Sequence, residues 1–324
     1  MALYGRPLKV AVLCTVWFGS SSVNNIISKK LMRQHPYPIT ITLAQMMANS
    51  ILFIPILMMA GIEHQMRQVP RKMLLKLLLP LAVGAVILRM TSLISLRSLS
   101  VSYTHTVKAS MPIFTVFLTK ILFLERYSVL VYLSLLPIFL GVSIATVTEL
   151  NFELTGMLNA FVATLILAVL NVCNKKVIGQ LNINPLYMLG IMATISFIVC
   201  LPVWVIFDLP RLQSDDRLVH FSDIKYLIGM LALSGFVNFS QSVTSFLVLH
   251  LLSPLSYSVS NTAKRIFVIA ASIMTLKNPV TLLNVVGMMT AIAGVFLYNL
   301  AKEYQNKQTR DVLLVKNHKE DFIV

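Results

Sequence analysis

The chain is built from runs of about twenty predominantly apolar residues separated by short polar stretches, and that rhythm fixes the solvent in which it folds. At 1.5 Å rise per residue such a run crosses a ~30 Å hydrocarbon core as a helix. No water reaches the backbone there, so each run must satisfy its own N–H and C=O groups. Of the 324 residues, 57% are hydrophobic and 12% charged, with a mean hydropathy of +0.80. A water-soluble domain of this length stays nearer half apolar. The formal net charge of +15 resides mainly in connectors and the tail, where membrane topology itself favours Lys and Arg. That distribution argues against a nucleic-acid partner. Cys14, Cys173 and Cys200 fall within apolar runs and read as small buried hydrophobes, not as a disulfide framework. The first run, near 9–28, is too long for a signal-peptide core and is kept as a span. The one glycosylation sequon, at Asn238, lies inside a span.

Spans are expected near 9–28, 39–61, 74–97, 102–124, 129–148, 154–173, 186–207, 225–249, 252–276 and 280–300. The fold class is therefore an all-α membrane protein of about ten transmembrane helices. Connectors as short as Glu125-Arg126 and Lys277-Asn278-Pro279 bring antiparallel neighbours side by side. An even span count puts both termini on one face. The cations of the 62–73 connector, Lys175-Lys176 and the tail from Lys302 to Lys319 point to the cytosol for that face. Lys29, Lys30 and Arg33 then lie opposite, with Arg211 and Arg217, the latter beside Asp215 and Asp216.

The halves echo each other. Asn25-Ile26-Ile27-Ser28-Lys29-Lys30 matches Asn171-Val172-Cys173-Asn174-Lys175-Lys176, and Pro38 and Pro55 match Pro185 and Pro202. The stretch ending in Lys108 matches the one ending in Lys264, and Gly141 matches Gly294. An odd number of spans per half turns the second copy upside down, giving an inverted repeat. The expected divisions are 1–150 for the first five-helix repeat, 151–300 for the second, and 301–324 for a flexible cytosolic tail.

Charge at membrane depth carries the chemistry. A Lys or Arg at a helix centre costs about 2.5–3.5 kcal/mol even on the lenient insertion scale. Arg89 in the third span, Lys108 in the fourth, and Lys264 and Arg265 in the ninth all lie at such depth, while no carboxylate falls in a span interior. Glu125, Glu149 and Asp208 lie at span ends. Uncompensated cations of this kind are explained when the counter-ion is the cargo, and a mixed Lys/Arg set suits a phosphoryl group. Snorkelling is the alternative; it suits Lys120 and Arg97 better than Lys264 and Arg265. Lys108, Lys264 and Arg265 are the expected phosphate ligands, with Arg89, Ser92, His105, Gln241 and Asn261 as candidate lining. For each hydroxyl and amide, helix packing is the competing explanation. Pro55, Pro80, Pro112, Pro137, Pro202 and Pro254 are expected bends. Phosphate-loop, HExxH and CxxC patterns are absent from the sequence, so no cofactor, metal or catalytic role is expected. The missing intramembrane acids also argue against proton coupling.

The runs Ser102-Tyr103-Thr104-His105-Thr106-Val107-Lys108 and Ser253-Pro254-Leu255-Ser256-Tyr257-Ser258-Val259-Ser260-Asn261-Thr262-Ala263-Lys264-Arg265 resemble the triose-phosphate and nucleotide-sugar translocators of the drug/metabolite transporter superfamily. So does Asn278-Pro279-Val280 leading to Gly294 and Tyr298, and the resemblance extends over about 9–305. It is closest to the E subgroup of the animal nucleotide-sugar solute carriers. The resemblance implies ten helices, two inverted halves and strict exchange of phosphorylated compounds, with phosphate held at Lys108, Lys264 and Arg265. Where plastid members of the family place a His in the third span and a Tyr in the eighth, this sequence has Arg89 and Gln241. The expected function is exchange of a nucleotide sugar or sugar phosphate for a nucleoside monophosphate or phosphate. The resemblance places it in a Golgi or endoplasmic reticulum membrane; its partners are the phosphorylated solute and the bilayer, with a homodimer left open. A membrane scaffold or sensor acting through the tail, which ends Glu320-Asp321-Phe322-Ile323-Val324, is the alternative. Such a scaffold would tolerate loss of the midplane cations.

Overall fold

The computed structural model describes residues 2–59, 71–150, 152–181, 185–215, 217 and 221–321. Eleven helices follow in chain order: α1 (Ala2–Gln34), α2 (Pro38–Met59), α3 (Arg71–Ser98), α4 (Val101–Lys108), α5 (Met111–Phe123), α6 (Val129–Val147), α7 (Leu154–Leu181), α8 (Pro185–Gln213), α9 (Phe221–Leu251), α10 (Pro254–Leu276) and α11 (Leu282–Asp321). Arg67 of the basic 62–73 connector, Asp216 and the terminal 322–324 lie outside the described residues. Residues 301–321, expected as a flexible tail, continue α11 as helix.

Eight of the described helices are long and apolar enough to cross a bilayer, and the protein is an integral multi-pass membrane protein. The expected fourth and ninth spans fall short of that standard. The fourth is broken into α4 and α5, and the ninth is α10. These are the segments that carry Lys108 and the Lys264-Arg265 pair: the fourth falls short because its two pieces are brief, and in the ninth the polar residues of α10 lower its apolar character.

The break between α4 and α5 has a local cause. Pro112 lacks the N–H that the Lys108 carbonyl needs four residues on, so α4 stops at Lys108 and α5 restarts with proline in its first turn. Serines open both polar helices: the Ser100 side chain accepts from the Tyr103 N–H, and the Ser253 side chain accepts from the Ser256 N–H. Each satisfies an orphan donor of a helix start. Pro254 likewise starts α10, whereas Pro55, Pro80, Pro137 and Pro202 lie inside continuous helices.

The most extensive pairing is α6 with α11. In addition α1 lies on α9 and α10 as α7 lies on α3 and the α4–α5 pair, and α2 lies on α8 and α9 as α8 lies on α2 and α3. Lipid tails are as apolar as the helix faces, so close backbone packing must hold such pairs. At the α6–α11 seam a Cβ on Gly141 would stand 2.2 Å from the Ala291 amide nitrogen, and one on Gly294 2.6 Å from that of Ile138. Asn284 adds hydrogen bonds to the Ala145 carbonyl at 2.9 Å and the Thr148 hydroxyl at 3.1 Å.

Polar ties also fix the ends of helices. Asp208, expected near a span end, is fully buried and accepts from the backbone N–H and the hydroxyl of Thr40, both at 2.9 Å, in the first turn of α2. An acid there faces the positive end of the helix dipole. Nearby, hydrogen bonds from Arg217 and Tyr37 hold the Asp215 carboxyl well below the usual carboxylate range, and Arg217 pairs with Asp215 at 2.9 Å.

Gly141→Ala is expected to separate α6 and α11 and to destabilise the protein by about 1–3 kcal/mol, the usual cost of overpacking. Gly19→Ala, where an added Cβ meets nothing within 4 Å, is expected to leave the melting temperature unchanged or raise it. Thermal unfolding in detergent, with both variants side by side, checks this.

Candidate functional site

Three helices bring four cations to one place. Arg89 stands two-thirds along α3, Lys108 ends α4, and Lys264 and Arg265 sit at the middle of α10. All four line a single cavity of about 420 Å³. The other expected lining residues, Ser92, His105, Gln241 and Asn261, line it too. Adjacent residues in a helix point about 100° apart, yet Lys264 and Arg265 both reach this cavity, one from each side of the α10 face.

Their surroundings explain how four positive charges are held without a partner acid. Among the described residues the one ion pair is Arg217 with Asp215, far from the cavity in sequence and on a connector. Arg89 donates to the Gln45 amide oxygen at 3.0 Å, and Gln45 in turn donates to Ser234 at 2.9 Å and Asn24 at 3.5 Å. Arg265, 9% exposed, donates to the His105 carbonyl at 3.5 Å. The Lys264 ammonium lies 4.5 Å from the centre of the Trp17 ring, which is buried and stacks on Tyr257. A ring face offers a cation partial compensation without neutralising it. The His105 ring meets the Asn25 amide oxygen at 3.2 Å. Neutral dipoles thus orient the cations and leave their charge unspent for a ligand. That arrangement can bind an anion, and among the described residues no group of His, Cys, Asp and Glu could hold a metal ion.

Part of the lining was not singled out in the sequence. Ser21, Asn24, Asn25 and Ser28 of α1, Gln45 of α2 and Asn171 of α7 all face the same space. Their signal was present: the α1 set recurs at three- and four-residue spacing within an apolar run, which marks one helix face. Asn25 and Asn171 are also matched positions of the two halves, as are Lys108 and Lys264, and all four line the cavity.

Lys29 differs most from its sequence reading. Expected at a membrane face, it is 2% exposed, and its ammonium donates to the carbonyls of Leu96 at 2.5 Å, Arg97 at 3.1 Å and Leu99 at 2.7 Å. It closes the end of α3 next to Ser28, where unpaired carbonyls and the negative dipole end favour a cation. Its repeat mate Lys175 is exposed. Lys120, near the end of α5, sits 5.6 Å from the Tyr132 ring centre.

The sequence profile of the Triose-phosphate Transporter family matches residues 8–299. Phosphoenolpyruvate/phosphate translocator 2, chloroplastic, of Arabidopsis thaliana is 33% identical over 306 residues, covering 93% of this chain and 79% of that protein. Glucose-6-phosphate/phosphate translocator 2, chloroplastic, of Arabidopsis thaliana is 29% identical over 92% of this chain and 76% of its own length. The triose phosphate/phosphate translocator, chloroplastic, of Zea mays is 29% identical over 91% and 71%. A solved crystal structure aligns with a TM-score of 0.55 at 12% identity, over 91% of this chain and 98% of that one, a likeness of fold alone.

Lys29→Met is expected to leave the carbonyls at the end of α3 without donors and to lower stability by about 1–3 kcal/mol, the cost of stranding buried polar groups. Lys30→Met, at an exposed neighbour, should move the melting temperature little. A drop of equal size in both variants would remove the helix-end role of Lys29.

Proposed function

The chain belongs to the Triose-phosphate Transporter family, and from that premise we propose that it is an antiporter exchanging one phosphate-bearing metabolite for another phosphate compound. Like its family it is a transporter and not an enzyme. One observation carries the reading: Arg89, Lys108, Lys264 and Arg265 line a single cavity, and no described carboxylate pairs with any of them. Charge buried without a partner is costly, and a phosphate supplies both the opposite charge and oxygens for the Arg forks. Release of one anion without another would restore that cost, which favours exchange over one-way passage.

Several features support alternating access. The pairings of α1 with α9 and α10 and of α2 with α9 recur when each helix is replaced by the one five spans away, counting α4–α5 as one, as an inverted repeat would, whereas the lesser contacts of α3 with α1 and α2 do not. Lys29 is buried and bonded while its mate Lys175 is exposed, consistent with one gate shut and its counterpart open. Rocking of the halves would exchange those roles.

The finer reading is a nucleotide sugar or sugar phosphate, exchanged for a nucleoside monophosphate or phosphate. Arg89 supports it as a fourth cation, available for a second phosphate. An endomembrane location, Golgi or endoplasmic reticulum with cytosolic termini, rests on the sequence resemblance; the relatives named above are chloroplast proteins. Lys108, Lys264 and Arg265 are assigned to the phosphate itself.

The test is uptake of labelled phosphate, phosphoenolpyruvate, glucose 6-phosphate and nucleotide sugars into liposomes preloaded with phosphate or nucleoside monophosphate. Uptake is expected to depend on the internal anion. Lys264→Gln or Arg265→Gln should reduce it at least about 30-fold, the lower end of the ~2–5 kcal/mol that loss of one member of a buried charge pair costs. Intact function in cells after loss of these cations, together with dependence on residues 301–324, would instead favour a scaffold.

A further inference from the structure

Beside the cation-lined cavity lies a second chamber of about 300 Å³, walled by α2, α3, α7 and α8. Arg89 lines both spaces, as do Leu88, Leu167, Asn171 and Ser242, so the two adjoin. The chemistry changes across that boundary. The main cavity holds the cations, whereas the chamber beyond Arg89 is walled by Leu170, Met188, Met192 and Ala193. Its own polar side chains are neutral: Asn49, Asn174 and Ser196, with the shared Asn171 and Ser242.

Two of these groups are incompletely bonded. The amide oxygens of Asn49 and Asn174 have no hydrogen-bond partner among the described residues. Asn49 is 4% exposed, and its amide nitrogen is committed to the Asn238 oxygen at 3.1 Å. Both residues line the chamber while their oxygens are buried, and the terminal torsion of an Asn side chain is soft enough to turn an oxygen toward it. A buried acceptor without a donor is costly, and each oxygen needs an N–H or O–H. Apolar walls with a few convergent polar groups are the usual make-up of a small-molecule subsite, and each space reaches the ~300 Å³ lower bound of such pockets. A three-carbon phosphate gripped by Lys108, Lys264 and Arg265 would leave the chamber unfilled.

We propose that this side chamber is a specificity subsite: it receives the part of the cargo that is not phosphate, an uncharged ring bearing hydrogen-bond donors, with Arg89 at the junction. This deepens the antiport reading and rests on it. The cargo is then a phosphate compound with a sugar or heterocyclic ring, and Asn49 and Asn174 are its specificity-determining residues. Sugar hydroxyls and ring or amino N–H groups share that donor chemistry, and the test separates them.

The full-length protein in phosphate-loaded liposomes is assayed for initial uptake of labelled inorganic phosphate, phosphoenolpyruvate, glucose 6-phosphate and uridine monophosphate. Wild type should favour glucose 6-phosphate or uridine monophosphate over phosphoenolpyruvate, and whichever leads identifies a sugar or a base. Asn174→Leu, which removes the amide, and Ala193→Leu, which adds bulk, should each cut the ratio of ring-bearing cargo to phosphoenolpyruvate at least tenfold in kcat/KM. Losses of that size are expected where a hydrogen-bonding subsite is disabled. An unchanged ratio in both variants, or a parallel fall for every cargo, overturns the subsite and leaves an entry route or a packing defect. Thermal stabilisation of the purified protein is the second readout. If wild-type liposomes take up none of the compounds, the antiport reading fails, and the chamber is judged by binding. A larger shift with glucose 6-phosphate or uridine monophosphate than with equal phosphate, abolished by Asn174→Leu, sustains it; equal shifts overturn it.

Discussion

Uncompensated positive charge deep in a lipid-solvated protein is the constraint around which this structure is arranged. Arg89, Lys108, Lys264 and Arg265 cannot face hydrocarbon, so the helices that carry them must turn those faces toward one another. They enclose a cavity in which an amide, a carbonyl and an indole ring hold Arg89, Arg265 and Lys264 in place without cancelling their charge. A neighbouring Asp or Glu would have made a quieter interior, but one with less reason to bind an anion. The absence of such a partner among the described residues leaves an energetic liability that the proposed anionic cargo would offset.

That arrangement places demands on the rest of the bundle. The segments bearing Lys108 and the Lys264-Arg265 pair are the two that lack the length or apolarity of an ordinary span. They must be held by their neighbours. α10 leans on α1 and α11, and α4 is gripped by α7 and α10. Away from the cavity the structure tightens: at the α6–α11 seam glycines let backbones approach within side-chain distance, and Asn284 bonds across it. A polar middle and a close-packed margin suit the proposed rocking of the halves about a central ligand.

Membrane-embedded polar groups serve two distinct ends here. Lys29 and Asp208 are as buried as any cavity cation, yet each meets a helix terminus whose orphan carbonyls or N–H groups complement its charge. Lys29 is satisfied within the protein, as is one Asp208 oxygen, while the other is buried without a partner among the described residues. Arg89, Arg265 and Lys264 are met by neutral groups alone, and that difference in partners, not burial, sets them apart from the structural charges.

Much of this was legible in the residue order. The apolar rhythm determined a multi-span helical protein, because a run that long can be satisfied in lipid only as helix. The lone cations of the third, fourth and ninth spans, read against the absence of acids, marked the candidates, and all eight candidate residues line one cavity. Pro112 determined where the fourth span breaks. Depth and partner choice were not legible: Lys29 looked like a face marker because nothing local reveals that the end of α3, nearly seventy residues away, waits with three carbonyls. The contributions of Asn24, Asn25 and Gln45 and the existence of a side chamber likewise depended on how distant helices are rotated and juxtaposed. Periodicity and charge act along the chain and can be read there; partnership acts across space, and only the packed bundle decided it.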